Sequence, residues 1–339
     1  MKNIFVTGGA GFIGSAFVRL VLAEQPDVQV VDLDALTYAG NLENLKDVDE
    51  SRHTFIKGDV CDRELVTKAI PEGCDAIFNF AAESHVDRSI NSADEFLRTN
   101  VIGTQVLLDA AREKSVRRFV QVSTDEVMGS LPEESEAYFT EDSPLQPNSP
   151  YAASKAAAEF VVRAARETHG IDTVITRCGN NYGPRQFPEK LIPLMLANAM
   201  NDDPLPVYGD GKNVRDWIYV DDHCRAVRLA YEKGKPGGVY NIGARNERQN
   251  IDVVMSLLDA VGKPQTLIQF VTDRLGHDRR YAIDPTKAES ELGWRPQTSW
   301  ESGLEKTIRW YRDNQDWVNH IRNGEYRNYY KTMYGSSLK

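Results

Sequence analysis

Three glycines spaced three apart, Gly8, Gly11 and Gly14, stand between a short β-branched run at 3–7 and a stretch where Ile13, Phe17, Leu20 and Val21 recur at helical spacing. Glycines there permit a tight turn. They also let a pyrophosphate approach the backbone N–H groups of a helix N-terminus, where the dipole favours negative charge. Any flexible turn can use glycine, so the weight lies in the placement, after a strand and before an amphipathic helix at the head of the chain. That placement predicts a dinucleotide site.

The alternation continues. Runs suited to strands fall at 29–32, 54–57, 76–80, 119–123 and 173–177, with helical patterns between them, notably at 101–113 and 152–166. Strand and helix alternating at this spacing mean βαβ units and a parallel, doubly wound sheet. Residues 1–178 are therefore expected to form a Rossmann-type α/β domain. Beyond Cys178 the pattern breaks into Pro-interrupted segments (Pro184, Pro188, Pro193, Pro204, Pro206), and a final amphipathic stretch covers 300–310. Residues 179–339 are expected to form a smaller mixed α/β substrate-binding domain, with a segment at about 214–238 returning to the first. The Glu-, Ser- and Pro-rich stretch 132–150, closely flanked by motifs, reads as a loop over the site.

With 339 residues the chain has room for about two domains. Its net charge of −10 argues against nucleic-acid binding, which needs excess Lys and Arg facing phosphates. No apolar run approaches the ~18 to 20 residues of a membrane span, and the N-terminal apolar run passes straight into glycines, so a soluble, cytoplasmic chain without a signal peptide is expected. Cys61, Cys74, Cys178 and Cys224 form no Cys-x-x-Cys pair and fall near no His at ligand spacing, which predicts a reducing compartment and no metal.

Three further motifs carry chemistry. An acidic residue at the end of the second strand, Asp32 or Asp34, would accept hydrogen bonds from ribose hydroxyls and repel a 2′-phosphate, favouring NAD over NADP. In Tyr151-Ala152-Ala153-Ser154-Lys155 the i, i+4 pair shares a helix face, so the ammonium is expected to lower the phenol pKa and make it a base. Tyr208/Lys212 and Tyr231/Lys235 match the spacing, but the first spans Gly209 and Gly211 and the second runs into Gly234 and Pro236. Ser123-Thr124-Asp125-Glu126 ends a strand at the sheet's carboxyl edge, where ligands of open α/β sheets bind. Two adjacent carboxyls in a concave site have their pKa values pushed apart, one staying protonated as an acid and the other ionised as a base. Both serve one cleft only if the chain bends there.

At these residues the chain resembles the extended short-chain dehydrogenase/reductases. Strings at 36–41, 81–89, 123–127, 148–151, 180–184, 188–193, 213–217 and 276–281 resemble the dTDP-glucose 4,6-dehydratases within them. The likeness runs from Met1 to about Arg312, and Thr124-Asp125-Glu126 and His277-Asp278-Arg279-Arg280-Tyr281 are far more specific than the glycines.

The resemblance implies an intramolecular redox dehydration of dTDP-glucose to its 4-keto-6-deoxy product with tightly held NAD. It implies that Tyr151 takes the 4-hydroxyl proton, Glu126 removes the C5 proton, Asp125 protonates the departing 6-hydroxyl, Thr124 bonds the 4-oxygen and Lys155 the nicotinamide ribose. Besides the glycines, Phe12, Ile13, Asp34, Asp59, Val60, Ala81, Ala82, Thr99 and Asn181 would line the NAD site. Ser84, Asn180, Lys190, Leu191, Pro206, Tyr208, Arg215, Asn250, His277 and Tyr281 would line the nucleotide-sugar site, with Arg215 as the diphosphate partner.

A homodimer built on the helices near 101–113 and 152–166 is implied as well. Two positions depart from the family pattern: Ala35, where it usually has Lys, and Met128, where it usually has Tyr. Alternatives are a 5,6-ene-forming dehydratase, a UDP-sugar 4-epimerase or a decarboxylase on the same fold, and, in a different class, a non-catalytic NAD-binding regulator. The paired carboxylates argue against an epimerase, which has no use for them at C5 and C6.

Overall fold

The computed structural model describes residues 1–322; residues 323–339, which the sequence assigns to the second domain, lie outside the described residues. The strands in chain order are β1 (Asn3–Thr7), β2 (Gln29–Asp34), β3 (His53–Lys57), β4 (Ala76–Asn79), β5 (Arg118–Thr124), β6 (Thr173–Cys178), β7 (Asn180–Tyr182), β8 (Leu205–Tyr208), β9 (Val214–Tyr219), β10 (Val239–Ile242), β11 (Glu247–Gln249) and β12 (Ile268–Val271). Seven form one sheet in the order β10-β6-β5-β4-β1-β2-β3. Every neighbouring pair in it is parallel. This is a Rossmann-type doubly wound sheet, whose direction of winding reverses between β1 and β4, the place where such sheets open a ligand crevice.

Successive side chains point to opposite faces of a strand, so both faces of this sheet are apolar. Ile4 and Val6 pack with Phe17 of the helix Phe12–Glu24 and with Val227 of the helix Val220–Lys233. Phe5 packs on the other side with Leu107, Val162 and Ile175, beneath the helices Thr104–Glu113 and Pro150–His169. A π-helical stretch, Leu97–Gly103, leads into Thr104–Glu113, so the helix expected from 101 begins earlier.

Past Cys178 the chain builds a second core of its own, in which Trp217, Leu257, Trp300 and Tyr311 meet. Its sheets are small: β11-β9-β7 and β12-β8. The return to the first sheet differs from the expected 214–238. The strand β9 pairs with β7 and β11, and the chain re-enters through the helix Val220–Lys233 and then β10, which adds to β6. Alternating apolar residues mark a strand without saying which sheet it joins.

Candidate active site

The carboxyl ends of β1, β4, β5 and β6 face the second core across a cavity of about 460 Å³. Apart from Asp32, every residue that the sequence nominates for cofactor, substrate or catalysis borders this cavity.

At one end lies the glycine turn. Gly8 has φ +74°, and a Cβ there would crowd the backbone of Ala81. A Cβ on Gly14 would overlap the Gly8 carbonyl. Gly11 caps the helix Phe12–Glu24 without any side-chain hydrogen bond, and the first turn carries no acidic residue, so its N–H groups are left for an anion. Of the two aspartates, Asp32 accepts from Gly9 N at 3.0 Å and does not border the cavity, whereas Asp34 does. Asp34 accepts from Ala10 N at 3.0 Å and Leu36 N at 2.8 Å. Glycines that admit no side chain, an uncapped helix start and an acid at the end of β2 suit an NAD pyrophosphate and adenosine ribose. Asp59, at the rim, pairs with Arg98 at 3.1 Å.

At the other end, Arg215 is buried, its guanidinium pushed below its ordinary pKa by that burial. It donates to Asp278 O at 2.9 Å and lies over the Tyr281 ring, 4.2 Å from the centroid. His277 meets Asp273 at 2.6 Å, and burial pulls its pKa down to about 4. Lys190 donates to Ser84 O at 2.7 Å, joining the two lobes. Asn250 Oδ1 and Trp217 Nε1 are buried at this cavity with no hydrogen-bond partner among the described residues, which fits them for a polar ligand.

Between these ends the chain turns. A 3₁₀ turn, Asp125–Met128, follows β5 directly and supplies the bend that brings both carboxyls to one cavity. Asp125 accepts from Thr124 Oγ1 at 3.2 Å through one oxygen, and its other oxygen is buried without a partner. Burial, then the Glu126 charge, hold its pKa well above the carboxylate range. Burial also raises Glu126, which Arg274, Lys190 and Arg215 partly offset.

Tyr151 opens the helix Pro150–His169, which Ser149 caps by accepting from Ala152 N at 3.1 Å. Burial and the charges of Glu126 and Asp125 raise its phenol well above the ordinary value, which the neighbouring Thr124 partly offsets. The expected lowering by Lys155 is not what the geometry provides. That ammonium donates to Val122 O at 2.6 Å, and burial pulls it down to about 8.

One departure from the family pattern is placed in the core, and one further expectation is corrected. Met128 does not border the cavity; it is buried with Val127, Phe139, Ala156 and Ile283, and its sulfur faces Arg177. The loop at 132–150 leaves only Pro150's neighbours at the site. It packs on the segment carrying Tyr281, Leu131 bridging to Arg280 and Phe139 to Ile283, and none of 130–149 borders the cavity.

Sequence reasoning passed over Glu83, His85, Glu189, Trp217 and Arg274, all at the cavity. Glu189 accepts from Tyr38 Oη at 3.1 Å, lies 3.6 Å from His85, and is pushed up to about 7 by burial. Most of these stand inside or beside the recognised strings, which was the available signal.

Comparison with known proteins matches residues 5–307 to the family model described as GDP-mannose 4,6 dehydratase. The dTDP-glucose 4,6-dehydratase of Xanthomonas campestris pv. campestris (strain B100) is 51% identical, over 96% of this chain and 98% of that one. The low-salt glycan biosynthesis protein Agl12 of Haloferax volcanii is 53% identical, over 91% and 98%. Among solved structures, DesIV, a dTDP-glucose 4,6-dehydratase from Streptomyces venezuelae with NAD bound, is 52% identical and superposes with a TM-score of 0.90 over 93% of this chain and 98% of that one. A UDP-glucose 4-epimerase of Thermotoga maritima shares the fold at 30% identity, TM-score 0.85, over 93% and 100%. With a family match across the parallel sheet and both ends of the cavity, this chain belongs to the GDP-mannose 4,6-dehydratase family, among the extended short-chain dehydrogenase/reductases.

Proposed function

We propose that the protein is an NAD-dependent dTDP-glucose 4,6-dehydratase, a hydro-lyase. The observation that carries this is the Asp125–Glu126 pair, two carboxyls brought by one 3₁₀ turn to the cavity that Tyr151 and Lys155 also border. An epimerase on this fold needs the Tyr and Lys alone.

NAD, held by the glycine turn and Asp34, would supply reversible hydride transfer, taking a hydride from C4 of the sugar and giving it back at C6, and so would not be consumed. Tyr151, which must act as the phenolate although burial favours the phenol, would take the 4-hydroxyl proton, with Thr124 beside it in the same cavity. The ketone so formed acidifies the C5 proton. Glu126, whose burial is partly offset by the charges of Arg274, Lys190 and Arg215, is the base that removes it. Asp125, held protonated, donates to the 6-oxygen, which leaves as water. Glu126 then returns a proton to C5. Arg215 binds the diphosphate through its planar fork, for which a point charge would be a poor substitute.

The exposed apolar residues Leu97, Ile102 and Phe160, on neighbouring helical segments of one side, support a homodimer. Four unpaired cysteines suit a reducing, cytoplasmic setting. The deciding experiment incubates the purified protein with dTDP-glucose in deuterated water without added NAD. Expected is the 4-keto-6-deoxy sugar carrying deuterium at C5. A C4 epimer without solvent deuterium, or NADH accumulating in proportion to added NAD, would overturn the reading.

A further inference from the structure

Glu159, on the helix Pro150–His169, is buried at the back of the active site and borders no part of the cavity. Its carboxylate is fully engaged. One oxygen accepts from Ser123 Oγ at 2.6 Å and from Arg177 Nε at 3.1 Å; the other accepts from Arg177 Nη2 at 2.7 Å and Nε at 3.1 Å. Such charge-assisted bonds are the strong and geometrically selective ones. Yet a buried ion pair is poor evidence of stabilisation, since desolvation offsets most of the attraction. Its value lies in what it fixes.

Three segments meet at this carboxylate, and Arg177 links a fourth to it. Tyr151, Lys155 and Glu159 follow each other at i, i+4 and i+8, so they share one helix face. Lys155 grips Val122 O, and one turn later Glu159 grips the next residue of the same strand, Ser123, which immediately precedes Thr124-Asp125-Glu126. Arg177 stands opposite Ser123 in the β5–β6 register. Its remaining amino group reaches Met128 Sδ at 3.8 Å, at the end of the 3₁₀ turn, and Glu141 O at 3.2 Å. The turn carrying Asp125 and Glu126 is thus tied at both ends to the helix carrying Tyr151.

We propose that Glu159, through Ser123 and Arg177, is a positioning residue that sets the oxidising pair Tyr151/Lys155 in register with the eliminating group Thr124/Asp125/Glu126. The assignment rests on the dehydratase reading and adds to it. A displacement of about 1 Å at reacting groups costs on the order of 100-fold in rate, so loosening this tie slows both halves of the reaction together. Binding is affected little, because Glu159 and Arg177 border no part of the cavity and the Ser123 hydroxyl, at its edge, is turned to Glu159.

The test is Ser123→Ala in the NAD-loaded enzyme, which removes the contact to β5 and leaves the ion pair whole. Expected are retained NAD, KM within about twofold, and kcat lower by at least about tenfold, with C4 oxidation and C5 exchange slowed by the same factor. Backbone hydrogen exchange, measured without substrate, is expected to speed up several-fold over 124–129 while 3–24 stays unchanged. A kcat within twofold of wild type, a loss confined to one half-reaction, or unaltered exchange over 124–129 would each overturn the proposal. Wild-type turnover of dTDP-glucose tests the dehydratase reading separately, and the exchange comparison holds whichever sugar the enzyme takes.

Discussion

Asp125 and Glu126 are adjacent in sequence and share one cavity, yet their surroundings differ in charge. Asp125 has an oxygen with no partner and a like charge beside it; Glu126 faces Arg274, Lys190 and Arg215. Asp125→Asn is expected to keep C4 oxidation and solvent exchange at C5 while slowing loss of the 6-hydroxyl by about 10²- to 10⁴-fold. Glu126→Gln is expected to suppress exchange and elimination together. Rapid-quench mass spectrometry in deuterated water separates the steps; equal, modest effects on all of them would make the pair structural.

Met128 faces Arg177, away from the sugar. Met128→Tyr is therefore expected to leave the product unchanged, with a C6 methyl signal by NMR. A wild-type product bearing an exocyclic vinyl signal, restored to the methyl by the substitution, would contradict this.

Gly14 has no room for a side chain, since a Cβ would overlap the Gly8 carbonyl. Gly14→Ala is expected to distort the turn and weaken NAD binding roughly 10- to 100-fold, on an overpacking cost of about 1–3 kcal/mol. The check is the NAD content of the purified variant and its recovery on titration. Full stoichiometric NAD would sink the idea.

His223 is buried 3.0 Å from Asn181 Oδ1, and burial depresses its pKa to about 3. A histidine whose folded pKa is depressed contributes stability that is present above the unfolded value near 6.5 and lost as pH falls through it. Between pH 7 and 5 this one group withdraws about 2 kcal/mol. Urea titrations of His223→Gln are expected to give a stability curve flatter by that amount over the same interval. An unchanged slope would show that His223 takes up its proton in the folded protein.

The sheet was legible because β-branched runs and helical spacing repeat without interruption as far as β6, and the cavity because glycines, acids and the Tyr/Lys pair lie at the ends of those runs. Side-chain direction was not. Met128 points inward because a 3₁₀ turn follows β5, and no spacing distinguishes that from a helix start. Lys155 finds a backbone carbonyl, Val122 O, which a pattern of side chains does not reveal. Glu159 escaped notice because its partner, Arg177, comes from strand pairing rather than from nearby sequence. The destination of β9 was hidden for the same reason.

The late arrival of β10 bears on how the chain is made. On a ribosome, β6 emerges with one edge open, and the Ile4/Val6 face lacks the helix Val220–Lys233 until everything between has been synthesised. N-terminal domains ordinarily fold as units while the rest is still being translated. Here the first sheet waits for the second lobe to pass, so a chain stalled or cleaved after Cys178 presents an unpaired strand edge and an uncovered apolar face, both invitations to aggregate. The same threading makes completion of the nucleotide-binding sheet wait on synthesis of β7 to β9, the first strands of the sugar-side lobe.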